Sequence, residues 1–298
     1  MTKRSVGLWL HSSRQEAITA AVDLARGLDR AGITCLVAQD RYREIQAGLG
    51  DVAVGALTAD SEDVELLVVL GGDGTILSAA EWALPAQVPL LGVNMGHVGF
   101  LAELEASQTA DLVDRVVGRR YAVEERVMLA VEVRDGDQVW NSFAVNELSI
   151  EKAVRSRMID VMVSVDGRPL SRWACDGILV STPTGSTAYA FSAGGPVIWP
   201  DVAAIELVPL LAHALFVRPL VLSPESVIEI YLMEGSDSAA FWCDGRRKVV
   251  SGPGSVAVVT RHALNLRLAR LDRRPFTDRL VRKFQLPVDG WRNGTGDV

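Results

Sequence analysis

Up to about Gly118 the chain alternates short apolar runs with stretches whose apolar residues recur at helical spacing. Ser5 to Leu10, Ile33 to Ala38, Val64 to Leu70 and Val88 to Val93 read as strands, and Gln15 to Ala31 reads as a helix. This alternation predicts an α/β N-terminal domain, Rossmann-like, with a parallel sheet flanked by helices and ligands at the carboxyl ends of its strands. Beyond about Arg119 the texture changes to β-branched segments of period two: Met128 to Val133, Met158 to Val165, Ile178 to Ser181, Val227 to Leu232 and Val256 to Thr260. Asp135-Gly136 and Asp166-Gly167 are hairpin signals between such runs, so the second half is expected to be a mostly β C-terminal domain. Near the end, Pro275 to Leu286 places Leu280, Val281 and Phe284 on one helical face. The expected division is an α/β domain over 1–118, a mostly β domain over 119–270, and a helix and tail over 271–298 packing back on the first. The tail from Asp289 has no ordering signal.

Two of the predicted strand ends carry unusual turns. Val64 to Leu70 runs straight into Gly71-Gly72-Asp73-Gly74-Thr75, followed by a helix-compatible stretch from Ile76 to Trp82. Three glycines in four positions permit positive φ and close approach to a ligand, and N–H groups at a helix start suit a phosphate. Asp73 is anomalous there, since a carboxylate repels phosphate unless it binds a hydroxyl, a metal or a proton. A helix cap or a chain turn would also account for it. Asn94 to Phe100 forms a second glycine-punctuated turn after a strand.

The composition narrows the field. The chain has 298 residues, 49% apolar and 22% charged, with a net charge of −7. That is the profile of a globular enzyme with a sizeable core, and it argues against broad nucleic-acid binding. Cys35, Cys175 and Cys243 have neither metal-ligand nor redox-pair spacing, which fits a reduced, cytoplasmic setting. The N-terminal region shows no secretory signal. The longest apolar region, Val202 to Leu222, is broken by Glu206, Pro209, His213, Arg218 and Pro219, so it is expected to be a core segment and not a membrane span.

The other dense cluster is Asp176 to Pro196, rich in hydroxyls, glycines and prolines. A strand from Ile178 to Val180 is expected to enter a turn at Pro183 to Gly185, after which Ser186 to Phe191 could begin a helix facing a ligand. A serine- and threonine-rich turn with capping hydroxyls is the plainer alternative.

The glycine loop, Asn146-Glu147, the run Asp176 to Pro196 and Asp244-Gly245 occur in the order and approximate spacing of NAD kinases, which the chain resembles over nearly its whole length. The ending Pro275-Phe276-Thr277-Asp278-Arg279-Leu280-Val281-Arg282-Lys283-Phe284 resembles actinobacterial members. The glycine loop alone is also shared with phosphofructokinase-like and lipid kinases; Thr182-Pro183-Thr184-Gly185-Ser186-Thr187-Ala188-Tyr189 is the discriminating string.

The resemblance implies transfer of a phosphoryl group from ATP, and in some relatives from inorganic polyphosphate, to the 2′-hydroxyl of the adenosine ribose of NAD. It implies Asp73 as proton acceptor, with Gly71, Gly72, Gly74 and Thr75 as the donor loop. Asn146 and Glu147 match ribose-binding positions; Thr184, Thr187, Ala188 and Tyr189 match the adenine pocket, with Phe100 near it. Asp176 and Ser192 match other dinucleotide contacts, Asp176 on the nicotinamide side, and Arg246 lies in a late turn near substrate. Arg157 matches a basic or imidazole position, with Lys152, Arg155 and Arg172 as competitors for substrate phosphate. Mg2+ is implied with the donor, no protein metal ligand is assigned, and a homotetramer or homodimer is expected.

Two departures stand out. Ser78 replaces a basic side chain of many relatives, and His213 lacks the usual preceding proline and reads as structural. A lipid kinase and a dinucleotide-binding regulator without turnover are the competing functions. The intact Thr182 to Tyr189 string opposes the first, and retention of Asp73 opposes the second.

Overall fold

The computed structural model describes all residues except 1–3, 12–14, 39–40, 51, 96–98, 103, 106–108, 155–156, 273–274 and 289–298. The expectations for Gly96 to Val98, Arg155 and the tail from Asp289 therefore lie outside the described residues. The chain forms two compact units, residues 1–125 with 266–298, and residues 126–265.

The first unit is built on a sheet ordered β3-β2-β1-β4-β5-β20-β7, with β6 beside β5. Its elements are β1 (Ser5–Leu10), α1 (Gln15–Arg30), β2 (Thr34–Ala38), α2 (Tyr42–Leu49), β3 (Gly55–Leu57), β4 (Val64–Leu70), α3 (Asp73–Ala86), β5 (Leu90–Asn94), β6 (Leu104–Glu105), α4 (Thr109–Val117) and β7 (Ala122–Arg126). Strands β1 to β5 pair in parallel. The order runs outward from β1 through β2 to β3, then restarts at β4 on the other side of β1. That reversal is a topological switch point, where the carboxyl ends of neighbouring strands diverge and leave room for a ligand. The glycine loop leaves β4 at this point. Helix α1 packs because Ala17, Ala21, Leu24, Ala25 and Leu28 recur at helical spacing and are all buried.

The second unit holds two antiparallel six-stranded sheets. One contains β10 (Glu147–Lys152), β13 (Gly177–Ser181), β14 (Ile205–Leu210), β15 (Leu220–Leu222), β17 (Ala239–Cys243) and β18 (Arg247–Ser251). The other contains β8 (Leu129–Asp135), β9 (Gln138–Ala144), β11 (Ile159–Val165), β12 (Arg168–Cys175), β16 (Ile228–Leu232) and β19 (Val256–Arg261). Alternate residues of both, among them Ile150, Val180, Phe241, Val131, Val163 and Trp173, share one buried core. Asp135-Gly136 and Asp166-Gly167 make the expected hairpins, with positive φ at Gly136, Asp166 and Gly167. All three cysteines are buried and free, and burial pushes each thiol up to about 12.

The structure departs from the pattern reading in three places. Leu266–Arg270, placed by period in the β-rich half, is β20 of the first unit, where Leu268 pairs in parallel with Leu90. The run Val202 to Leu222 is only partly core. Ile205, Leu207 and Val208 are buried, whereas Leu211, Leu215, Phe216 and Val221 are exposed, Leu215 completely. His213 is itself exposed and contributes a backbone bond, its N–H donating to the Ala174 carbonyl. After Pro183 the chain makes not one helix but a 3₁₀ turn over Gly185–Thr187 and a single α turn, α5 (Tyr189–Ser192). The last helix among the described residues, α6 (Phe276–Phe284), belongs to the first unit.

Candidate active site

In the first unit the glycine loop needs its glycines for space. None of Gly71, Gly72 and Gly74 has positive φ, contrary to the expectation above. A Cβ on Gly71 would sit 2.3 Å from the Thr75 hydroxyl oxygen, so the turn closes only without a side chain there. At Gly72 and Gly74 a Cβ would meet nothing within 4 Å. The backbone over those two residues is thus open to a ligand, at the N-terminus of α3 where first-turn N–H groups and the helix dipole favour an anion.

Asp73 is the first residue of α3, and its carboxylate is held from outside the helix. The Phe100 N–H donates to Oδ2 at 2.9 Å and the Leu101 N–H to Oδ1 at 3.1 Å. Each oxygen keeps a second acceptor position. Gly99 permits this arrangement, since a Cβ there would overlap Oδ1 at 2.2 Å. The second glycine turn therefore serves the first. Phe100 packs its ring 5.9 Å from Phe276 and 5.8 Å from Phe284 of α6.

The second unit brings together Asn146, Glu147, the Thr182 to Tyr189 turn and Asp244. The Asn146 carbonyl accepts from Thr182 N–H at 2.8 Å, and the Thr182 hydroxyl donates to the Val145 carbonyl at 2.6 Å. Gly185 must be glycine, because a Cβ would fall 2.1 Å from the Asn146 carbonyl oxygen. Asp244, fully buried at its side chain, accepts from the N–H groups of Val145 at 3.0 Å and Asn146 at 2.7 Å. Its own N–H donates to the Glu147 carbonyl. Arg247 donates to Asp244 and to the Phe143 carbonyl, and its guanidinium lies 4.0 Å from the Phe143 ring centroid. The sequence reading puts Asp244-Gly245 among the family motifs, in a turn that a simple hairpin also explains, and Gly185 in the Thr182 to Tyr189 string, but it does not single out Arg247. The hairpin is real, with positive φ at Asp244 and Gly245, but it also aims a carboxylate back at the Asn146 strand.

Burial sets the electrostatics of this region. Glu147 is pushed up to about 8, chiefly by burial and then by the Asp244 charge, against a lowering contribution from the Tyr189 N–H. Its Oε2 has no partner among the described residues. Burial likewise raises Asp244, opposed by its N–H and Arg247 bonds. Glu206, the polar break noted in the apolar run, is buried with both oxygens unpartnered beneath Gly195, and burial lifts it to about 7.

The remaining expected site residues differ in exposure. Thr184, Thr187 and Ala188 are half-buried, whereas Tyr189, Ser192 and Arg246 are exposed. Of the competing cations, Lys152 pairs with Asp176 at 2.5 Å and Arg172 pairs with Asp160. Arg157 extends into solvent, 4.0 Å from Asp237. No group of His, Cys, Asp or Glu among the described residues is arranged to hold a metal ion. No helix among them is long and apolar enough to cross a membrane.

The ATP-NAD kinase N-terminal domain family matches residues 6–121, and the ATP-NAD kinase C-terminal domain family matches residues 145–271. An NAD kinase of Cutibacterium acnes is 53% identical over 294 residues, covering 98% of this chain and 92% of its own. An NAD kinase of Mycobacterium tuberculosis is 48% identical over 302 residues, covering 97% of this chain and 98% of its own. Among solved structures, yeast NADH kinase complexed with NADH has a TM-score of 0.86 at 23% identity, covering 99% of this chain and 90% of its own. An Archaeoglobus fulgidus NAD kinase in complex with ATP has a TM-score of 0.74 at 23% identity, covering 95% of this chain and 100% of its own. These two share the fold. Both family matches and the relatives near half identity agree with the order of motifs along the chain, and the chain belongs to the NAD kinase family.

Proposed function

We propose that this kinase converts NAD to NADP by moving a phosphoryl group from ATP to the 2′-hydroxyl of the adenosine ribose, with Asp73 as general base. The observation that carries the assignment of the base is the carboxylate at the carboxyl end of β4, gripped by two backbone N–H groups beside an open glycine backbone. Phosphoryl transfer asks little covalent chemistry of a protein and much positioning. The hydroxyl proton passes to a free lone pair of Asp73 as the bond from the 2′ oxygen to phosphorus forms. The bond from phosphorus to the donor's bridging oxygen breaks in the same displacement, and ADP leaves. Asn146 and Glu147 bind ribose hydroxyls, and Thr184, Thr187, Ala188 and Tyr189 receive the adenine.

Mg2+ would accompany the donor and neutralise charge on its phosphates, with no cluster of side chains among the described residues arranged to hold it. Inorganic polyphosphate is a second donor on this reading, since it too presents a terminal phosphate to the Gly71 to Thr75 loop. The protein is assigned to the cytoplasm. It works as a homodimer or homotetramer, a reading supported by the exposed Leu211, Leu215, Phe216 and Val221.

Purified protein given NAD, ATP and magnesium should form NADP. NAD binding without product would instead favour the regulator, and phosphate incorporation only into lipid would favour a lipid kinase. Light scattering should report an oligomer that Leu215→Asp weakens; an unchanged monomer mass for both proteins would remove the oligomer assignment.

A further inference from the structure

One of the two N–H groups that hold Asp73, that of Leu101, belongs to a peptide anchored from the far end of the chain. The Leu101 N–H and the Phe100 carbonyl belong to one peptide unit. Arg279 Nη1 of α6 donates to that carbonyl at 2.7 Å, while the N–H on the other side of the same unit donates to Asp73 Oδ1. The next carbonyl, that of Leu101, accepts from the buried Arg270 Nη1 at 3.0 Å. Phe276 and Phe284, on the helix that carries Arg279, pack against the Phe100 ring. A guanidinium, a peptide dipole and a carboxylate thus stand in series, and hydrogen bonds in series polarise one another.

We propose that Arg279 is a positioning residue for phosphoryl transfer, acting through the Phe100–Leu101 peptide to fix Asp73 in the geometry that accepts the 2′-hydroxyl proton. The charged bond to the Phe100 carbonyl orients that peptide plane, and its direction determines where the Leu101 N–H points. Without the guanidinium the plane can rotate, and Asp73 keeps the Phe100 N–H but loses a fixed second donor. Substrate contacts are untouched, so the defect belongs to turnover and not to binding. This inference rests on Asp73 being the base.

The test is a double-mutant cycle of Asp73→Asn and Arg279→Ala, with Arg279→Lys and Phe284→Leu as companions. A charge-assisted hydrogen bond lost from the transition state predicts that Arg279→Ala lowers kcat by about 10- to 100-fold. KM for NAD and for ATP should stay within about twofold. Ethylguanidinium added to Arg279→Ala should restore part of kcat, and Arg279→Lys should fall between wild type and Ala. In the Asp73→Asn background Arg279→Ala should cost no further activity, because the group it positions has lost its role. Phe284→Leu serves as the control for general loosening of α6, with a fall in Tm and little loss of kcat.

The proposal is overturned if Arg279→Ala raises KM with kcat intact. It is overturned equally if its kcat loss only matches that of Phe284→Leu at equal Tm, or if ethylguanidinium restores nothing. Near-normal kcat in Asp73→Asn would overturn the base assignment itself. Normal kcat in Arg279→Ala beside a dead Asp73→Asn would overturn only the role of Arg279.

Discussion

Asp73 and Glu147 are both carboxylates at strand termini, yet their surroundings share almost nothing. Asp73 is half-buried and receives two backbone N–H groups, one on each oxygen. Glu147 is buried, receives the Tyr189 N–H, leaves Oε2 unpartnered and has the Asp244 charge close by. Burial beside a like charge favours the protonated form of a carboxyl, which can then donate. Glu147, pushed up to about 8, favours the protonated form that can donate a hydrogen bond. On the proposed reading the same functional group serves as proton acceptor at Asp73 and as donor to ribose at Glu147.

The sharpest way to break this contrast is Asp73→Asn, which preserves size and removes the acceptor. Turnover should fall by about 10²- to 10⁴-fold with NAD affinity largely kept, measured by steady-state kinetics and calorimetry. Near-normal turnover would leave Asp73 only the structural role of accepting from the Phe100 and Leu101 N–H groups. Gly99→Ala should approach the same loss without touching the carboxylate chemically, since the new methyl overlaps Asp73 Oδ1. A kcat loss of about 10²-fold is expected, whereas Gly72→Ala, with open space at its Cβ, should leave Tm within about 3 °C and act mainly on KM for ATP. Equal effects of the two substitutions would mean that the glycines serve chain flexibility and not space.

On the Glu147 side, Asp244→Ala removes the acceptor of two backbone N–H groups and the partner of Arg247. A cost of about 3–5 kcal/mol in urea unfolding is expected, together with a raised KM for NAD. An unchanged KM in the folded fraction would show that Asn146 and Glu147 are set by the Thr182 turn alone.

The smallest effect concerns pH. Glu206 and Glu147 both have folded values above the ordinary 4.5, at about 7 and about 8, so both bind protons more tightly folded than unfolded. Their contribution to stability is complete below 4.5 and is lost as pH rises through those values. Glu206→Gln should flatten the part of this decline that ends near 7, a change of about 1–3 kcal/mol at most, read from Tm against pH. A wild-type profile that rises with pH over this range would contradict the sign.

Much of this architecture is legible in the residues themselves. The run Val64 to Leu70 ending in glycines leaves little choice but a buried parallel strand and a tight turn, and Asp-Gly pairs between alternating segments demand hairpins. What resists reading depends on distant partners. Nothing local distinguishes Leu266–Arg270 from the antiparallel strands before it, because its parallel pairing with Leu90 is set by the sheet edge that awaits it. Hydropathy predicts that Leu211 to Phe216 prefer burial, but not that Leu215 finds no cover among the described residues. Glycine density at Gly71 to Gly74 signals a backbone under constraint without separating positive φ from steric room, and only the Thr75 contact decides between them. The arginines at 247, 270 and 279 act through carbonyls far along the chain, for which side-chain identity carries no signal.

The return of β20 and α6 to the first unit also has a consequence during synthesis. The second unit is continuous in sequence and all of it is added before Leu266, whereas the parallel sheet of the first unit lacks β20 until the chain is nearly complete. Arg279 is added near the end, and only then does the Phe100–Leu101 peptide, whose N–H donates to Asp73, gain its anchor. A chain stopped ahead of Phe276 would keep the whole second unit and lose α6 with Arg279, so on the proposed reading its turnover should suffer before its dinucleotide binding does.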